Sequence, residues 1–174
     1  MQMLAAAGIE SLTDGVRTPD EDNPRGYFEF EPVKRVATDA SWVSQARGKV
    51  VKVISHLVAR LPRDECYRLI LVERDLEEVL ASQAKMIERL GRAAPDASIV
   101  RKAFVAHQAA FDQAVRDRPE IVLLRIQHAE LINSPEPTAH RIAKFLEEGQ
   151  GRAIDAEAMA AVIDPELYRN RCIG

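Results

Sequence analysis

The sequence predicts a three-layer α/β/α fold built on a small parallel sheet. Three observations carry that prediction. Short β-branched or apolar runs, Lys49–Ser55, Tyr67–Glu73 and Ile121–Ile126, alternate with longer stretches whose apolar residues recur at helical spacing. The last run, Ile121-Val122-Leu123-Leu124-Arg125-Ile126, has almost no polar position, as in strands buried on both faces. The 174 residues suit one domain spanning 1–174, with no repeat and no low-complexity tract.

Taken in order, Met1 to Ala7 reads as the last turns of an amphipathic helix closed by Gly8. Ser11 to Gly26, rich in Asp, Gly and Pro, is a loop, and long loops in compact domains often carry binding residues. Pro32 opens a short helical region, broken near Asp39, that runs to Arg47. Gly48 ends it and the first strand, Lys49–Ser55, follows; Tyr67–Glu73 is the second. Asp75 is an N-cap, with Glu78 three residues on completing a capping-box-like pair. The helix behind it carries Leu76, Val79, Leu80, Met86, Ile87 and Leu90 on one face, and Gly91 closes it. A second long helix runs from about Asp96 to Arg116 and leads into the third strand at Ile121. Pro135 to Glu147 is a helix with Ile142, Phe145 and Leu146 inward, and Asp155 caps another through Val162.

Bulk composition excludes several classes. Hydrophobic residues are 47% and charged residues 29%, the mix of a soluble globular protein. A net charge of -3 with scattered basic residues argues against a nucleic-acid or anionic-membrane binder, while leaving room for a local anion site. The N-terminal apolar stretch is short and unflanked by basic residues, so it is neither a signal peptide nor a transmembrane span. Cys66 and Cys172 fit no metal spacing and no disulfide framework. The expectation is a cytoplasmic protein with two inert thiols.

The chemistry starts at Arg74 and Ser82. Arg74 ends the second strand and Ser82 lies about two turns into the following helix. Ligands of open parallel sheets bind beyond the carboxyl ends of strands. A guanidinium fork and a hydroxyl there can hold a phosphate from two sides. Spacing alone favours an Arg74 paired with Glu77 or Glu78 and an indifferent Ser82.

Strand, Arg, seven residues, Ser on the next helix resembles the site for the 3'-phosphate of 3'-phosphoadenosine 5'-phosphosulfate in sulfotransferases of the P-loop nucleoside triphosphate hydrolase-like fold. The likeness continues along the chain. Asp22-Asn23-Pro24-Arg25-Gly26-Tyr27-Phe28-Glu29 is similar to the Asn-Pro-x-Gly-aromatic-x-Glu loop of bacterial members. Leu123 to Leu146, with Glu130-Leu131, Pro135 and Ile142-Ala143-Lys144-Phe145-Leu146, resembles their strand, Asp/Glu-Leu, Pro and Phe-Leu helix. The resemblance implies transfer of a sulfuryl group from 3'-phosphoadenosine 5'-phosphosulfate, as co-substrate, to a small-molecule hydroxyl or amine, without a metal.

Roles follow from the resemblance. Arg74 and Ser82 would hold the 3'-phosphate, helped by Arg169 or Arg171 of the basic tail, although the family's usual Arg-Lys-Gly-x-x-Gly form is absent. Arg25, Tyr27, Phe28 and Glu29 would face the acceptor. Sulfuryl transfer needs in-line positioning and removal of the acceptor's proton. Where many members carry Lys-Thr-His, this chain has Ile54-Ser55-His56, so His56 is the expected base; a plain surface histidine is the equal alternative. Glu29, Glu31 and Glu73 are the rival carboxylate bases, while His107 and His140 read as solvated and His128, after the third strand, reads as a turn cap with lining of the cleft as its alternative.

The family's first strand and its 5'-phosphosulfate loop have no counterpart among these residues, and three strands are few for such a sheet. A missing inner strand would leave backbone groups unpaired. The expectation is therefore an N-terminally truncated domain whose Met1 is an internal methionine. Closure of the remaining strands, or an oligomer, would be other ways to cover the gap. As a truncated chain it would have little or no activity. The competing readings are a non-catalytic nucleotide-binding or interaction module and another P-loop relative such as a small-molecule kinase.

Overall fold

The computed structural model describes residues 1–20, 23, 25–89, 91 and 96–167. The chain is a mixed α/β protein. Its helices are α1 (Gln2–Ala6), α2 (Leu76–Arg89), α3 (Ala97–Arg116), α4 (His128–Asn133), α5 (Pro135–Gln150) and α6 (Ala156–Ala161). Short 3-10 helices occupy Glu31–Arg35, Ser41–Ala46, Ser55–Arg60 and Pro165–Leu167. The sheet has two parallel strands, β1 (Tyr67–Glu73) and β2 (Ile121–Gln127), in register from Tyr67 opposite Ile121 to Glu73 opposite Gln127. The helices α2 and α3 form the crossover that a parallel pair requires.

Alternation along the two strands divides the core in two. Ile70, Leu124 and Ile126 turn toward Ile142, Phe145 and Leu146 of α5, Met159 of α6 and Met3 of α1. Tyr67, Leu69, Leu71, Ile121 and Leu123 turn the other way, against Phe111 of α3, Val58, Trp42 and Val33. Ile126 and Met159 are fully buried. Truncating side chains so enclosed costs about 2–5 kcal/mol.

The expected strand at Lys49–Ser55 does not form. Its one ladder contact is an isolated parallel bridge between Val50 and Ser11, closed by Val50 N–H to the Glu10 carbonyl at 2.9 Å and Leu12 N–H to the Val50 carbonyl at 2.8 Å. The β-branched residues are accommodated without a sheet, because Val50 joins one core cluster and Val51 and Val53 the other. Ser55 already begins a 3-10 helix, so His56 sits on helical rather than extended backbone.

Arg118 fastens that helix to the start of β2. Its side chain is 2% exposed and donates to the carbonyls of Val58 at 2.7 Å and Pro62 at 2.8 Å, while its Nε meets Glu120 at 2.7 Å. The other helical expectations hold. Asp96 caps α3 by accepting from Ser98 N–H at 2.7 Å, and Asp155 caps α6 through Ala158 N–H at 2.8 Å. Pro32 lies in the first turn of its short helix, which is 3-10 and not α. Among the described residues, no helix is long and apolar enough to cross a membrane.

Candidate functional site

The carboxyl ends of β1 and β2 bring together residues far apart in sequence. The register that sets Glu73 opposite Gln127 makes Arg74 and His128 the next residues along the two strands. Arg74 Nε donates to Glu78 Oε2 at 3.0 Å; the Arg74 side chain is 28% exposed and that of Glu78 only 5%. His128 lies in the same group. Burial lowers its pKa from the ordinary value, the charge of Arg74 adds to this, and Glu78 opposes it. The imidazole is thereby biased to its neutral form.

Asp75 caps α2 as its sequence position predicts. Its carboxylate accepts from the N–H of Glu77 at 2.8 Å and of Glu78 at 3.3 Å. Two of the amides that would attract an anion to this helix terminus therefore already face a carboxylate. Ser82 follows one turn beyond Glu78 and is half-buried. Of the two arrangements that the spacing allowed for Arg74, the pairing with Glu78 is the one present. Arg169 and Arg171, the expected helpers at the 3'-phosphate, lie outside the described residues, as does Cys172.

The loop before the first 3-10 helix builds a second group. Arg25, Tyr27, Phe28 and Glu29, with Thr13 and Arg17, line an open cavity of about 250 Å³. The Arg17 guanidinium stacks 3.3 Å from the Tyr27 ring centroid and donates to Glu29 at 3.0 Å. The Tyr27 hydroxyl meets both carboxylate oxygens of Asp20 at 2.7 Å, and this bond above all holds the phenol pKa above its usual value. Lys52 Nζ donates to the Tyr27 carbonyl at 3.1 Å. Arg25 also reaches across the molecule, donating to the Val162 carbonyl at 2.9 Å and to Asp164 at 2.8 Å. Among the described residues, Arg74, Ser82 and His56 are not part of this lining.

The third group is at His56. The residue is exposed, and its ring stands edge-on to that of His107 with centroids 6.4 Å apart. His107, on α3, shares a 2.7 Å hydrogen bond between its Nε2 and Ser55 Oγ. The rival carboxylates all face cations: Glu73 meets Arg125 and Gln127, Glu29 meets Arg17, and Glu31 meets Lys34. His140 is exposed and bonded to the Glu136 carbonyl at 2.9 Å. Sequence reasoning missed Arg17, His107 and the neighbourhood of His128; only His128, which directly follows the last strand, left a local signal.

No family model, no curated protein and no solved structure matches the chain.

Proposed function

We propose that the chain is a sulfotransferase-like domain of the P-loop type, with a three-layer α/β/α design, that binds the adenosine 3'-phosphate end of 3'-phosphoadenosine 5'-phosphosulfate. One observation carries the reading. Arg74 directly follows a parallel strand, at the sheet edge where open α/β folds take their ligands, with His128 beside it and Ser82 on the helix that follows. Arg74 is the phosphate ligand and Ser82 its second donor, with Arg169 and Arg171 as the basic tail. The cavity of Arg25, Tyr27, Phe28 and Glu29 is the acceptor side, for a hydroxyl or an amine; His56, the base that the resemblance implies, lies outside its lining. No Gly-rich loop for the 5'-phosphosulfate occurs in these residues, so nucleotide binding, rather than turnover, is the property proposed for this chain.

A second reading has its own support. Glu78 on Arg74 and Asp75 on the first amides of α2 fit a non-catalytic interaction module that has kept the scaffold.

Calorimetric titration with 3'-phosphoadenosine 5'-phosphate decides between them. The nucleotide reading expects saturable binding that Arg74→Ala weakens by roughly tenfold or more, the equivalent of about 1.4 kcal/mol. Equal binding by wild type and Arg74→Ala, or none by either, would leave the module reading standing.

A further inference from the structure

The outer side of β2 carries a pattern that neither the Arg74 cluster nor the loop cavity uses. Ile121-Val122-Leu123-Leu124-Arg125-Ile126 has the composition of an inner strand, yet among the described residues no strand lies beyond it. Val122 is 49% exposed. Sheet rims are usually guarded by a proline, a bulge or an outward charge. β2 has no proline and its register with β1 runs unbroken. Its one charged side chain, Arg125, is turned to Glu73 and Asp112.

The hydrogen bonds define which backbone groups are open. Tyr67 N–H donates to the Glu120 carbonyl at 2.9 Å, so Glu120, Val122, Leu124 and Ile126 aim their backbone groups at β1. Ile121, Leu123 and Arg125 aim theirs outward. Two of these outward groups are engaged within the chain. Ile121 N–H donates to the Arg118 carbonyl at 3.0 Å, and the Arg125 carbonyl accepts from Arg141 at 3.4 Å. Among the described residues, the other four have no partner: the Ile121 carbonyl, the Leu123 N–H and carbonyl, and the Arg125 N–H.

From this pattern we infer that β2 pairs edge to edge with β2 of a second copy of the chain, antiparallel and two-fold symmetric about Leu123. Two β1–β2 pairs then make one four-stranded sheet. In this register Leu123 faces the second copy's Leu123, and the two exchange both of their bonds. Ile121 faces the second copy's Arg125. Their free groups form one bond, Arg125 N–H to the Ile121 carbonyl, which symmetry repeats. Their engaged groups, the Ile121 N–H and the Arg125 carbonyl, fall opposite each other. All four open groups of each copy are thereby satisfied. A foreign strand would bring a carbonyl to the engaged Ile121 N–H and an N–H to the engaged Arg125 carbonyl, so the pattern fits a second copy better. The side chains agree. Val122 meets Leu124 of the second copy, which covers its exposed surface; Arg125 faces Ile121 and Glu120 faces Ile126, so no like charges stand opposite one another. The inference does not rest on the nucleotide reading, and each can fail without the other.

Sedimentation equilibrium of the full chain from about 1 to about 300 μM tests it. A reversible dimer of twice 19.4 kDa is expected. Val122→Lys, which sets a charge against the second copy's Leu124, should weaken association by roughly tenfold or more. Val72→Lys is the matched control: Val72, on β1, is also 49% exposed, and association should be unchanged. Both positions are exposed, so both variants keep the fold, which circular dichroism checks. A monomer throughout the range would overturn the inference. So would a Val122→Lys protein that dimerises as wild type does, an equal weakening by Val72→Lys, or growth beyond a dimer, which a closed two-fold contact does not allow.

Discussion

Arg74, just past β1, and Glu78, on the first turn of α2, form an ion pair of 3.0 Å in which the carboxylate is almost wholly enclosed. Any phosphate that approaches Arg74 therefore meets an arginine already engaged by an anion. Replacing Glu78 with Gln keeps the shape and removes the competing charge. The expected result is tighter binding of 3'-phosphoadenosine 5'-phosphate, by about tenfold if roughly 1.4 kcal/mol of competition is relieved. Fold stability should drop by about 1–3 kcal/mol with the loss of a charged hydrogen bond. Calorimetry and denaturant unfolding read the two effects separately. An affinity unchanged by the substitution would show that Glu78 does not compete with ligand.

His128 gives this group a pH signature. Burial, aided by Arg74, depresses its native pKa below the ordinary 6.5, while the unfolded chain still titrates near 6.5. Between the depressed native value and 6.5 the unfolded state binds more protons, so stability rises with pH across that window. The stability is fully present above the unfolded value and is lost as pH falls through the native one. Wild type should lose more stability than His128→Gln when pH is lowered from about 7.5 to about 5.5. Parallel unfolding curves for the two proteins over this range would place His128 in water.

How much of this was legible in the sequence depends on the range of the interaction. Helix caps are local, so Asp75 and Asp155 could be read directly, and each caps the helix expected of it; Asp96, read only as the start of its helix, caps it too. Arg74 was legible because the end of a strand is marked by the strand itself. Lys49–Ser55 was misread because β-branched residues serve a buried irregular segment as well as a strand; its partition between two core clusters is a tertiary fact. The pairing of His107 with Ser55 spans 52 positions and no periodicity announces it. His128 joins Arg74 only through the register of β1 on β2, which a single sequence leaves undetermined.

Phe28 has φ of 51°, in the left-handed region that a side chain makes costly. Both flanking carbonyls are pinned: Tyr27 accepts from Lys52 at 3.1 Å, and Glu29 accepts from Thr13 Oγ1 at 2.9 Å and Asp14 N–H at 3.2 Å. Strain of about 1–2 kcal/mol is thus held in the wall of the loop cavity. Removing the ring in two ways isolates it. Phe28→Gly should be more stable than Phe28→Ala by about 1 kcal/mol, the reverse of the usual order of these two residues. Denaturant midpoints measure the difference, and an alanine variant as stable as the glycine one would mean that the backbone there is relaxed.

Gly149 lies in the last turns of α5 with Arg68 of β1 against it. A Cβ on Gly149 would clash with Arg68 Nε and Cδ. Arg68 has little freedom to withdraw. Its guanidinium donates to the Phe145 carbonyl near the C-terminus of α5, lies 5.1 Å from the Phe145 ring centroid and is 3.7 Å from Glu148. In an ordinary helix Gly→Ala stabilises by about 0.5–1 kcal/mol. Here Gly149→Ala should destabilise, by about 1–3 kcal/mol, as an overpacked contact does. With Arg68→Ala already in place the obstruction is gone, and the same change should stabilise the protein. A double-mutant cycle on unfolding free energies tests this change of sign. If Gly149→Ala has the same effect in both backgrounds, the close approach of strand and helix is not what requires glycine at this position.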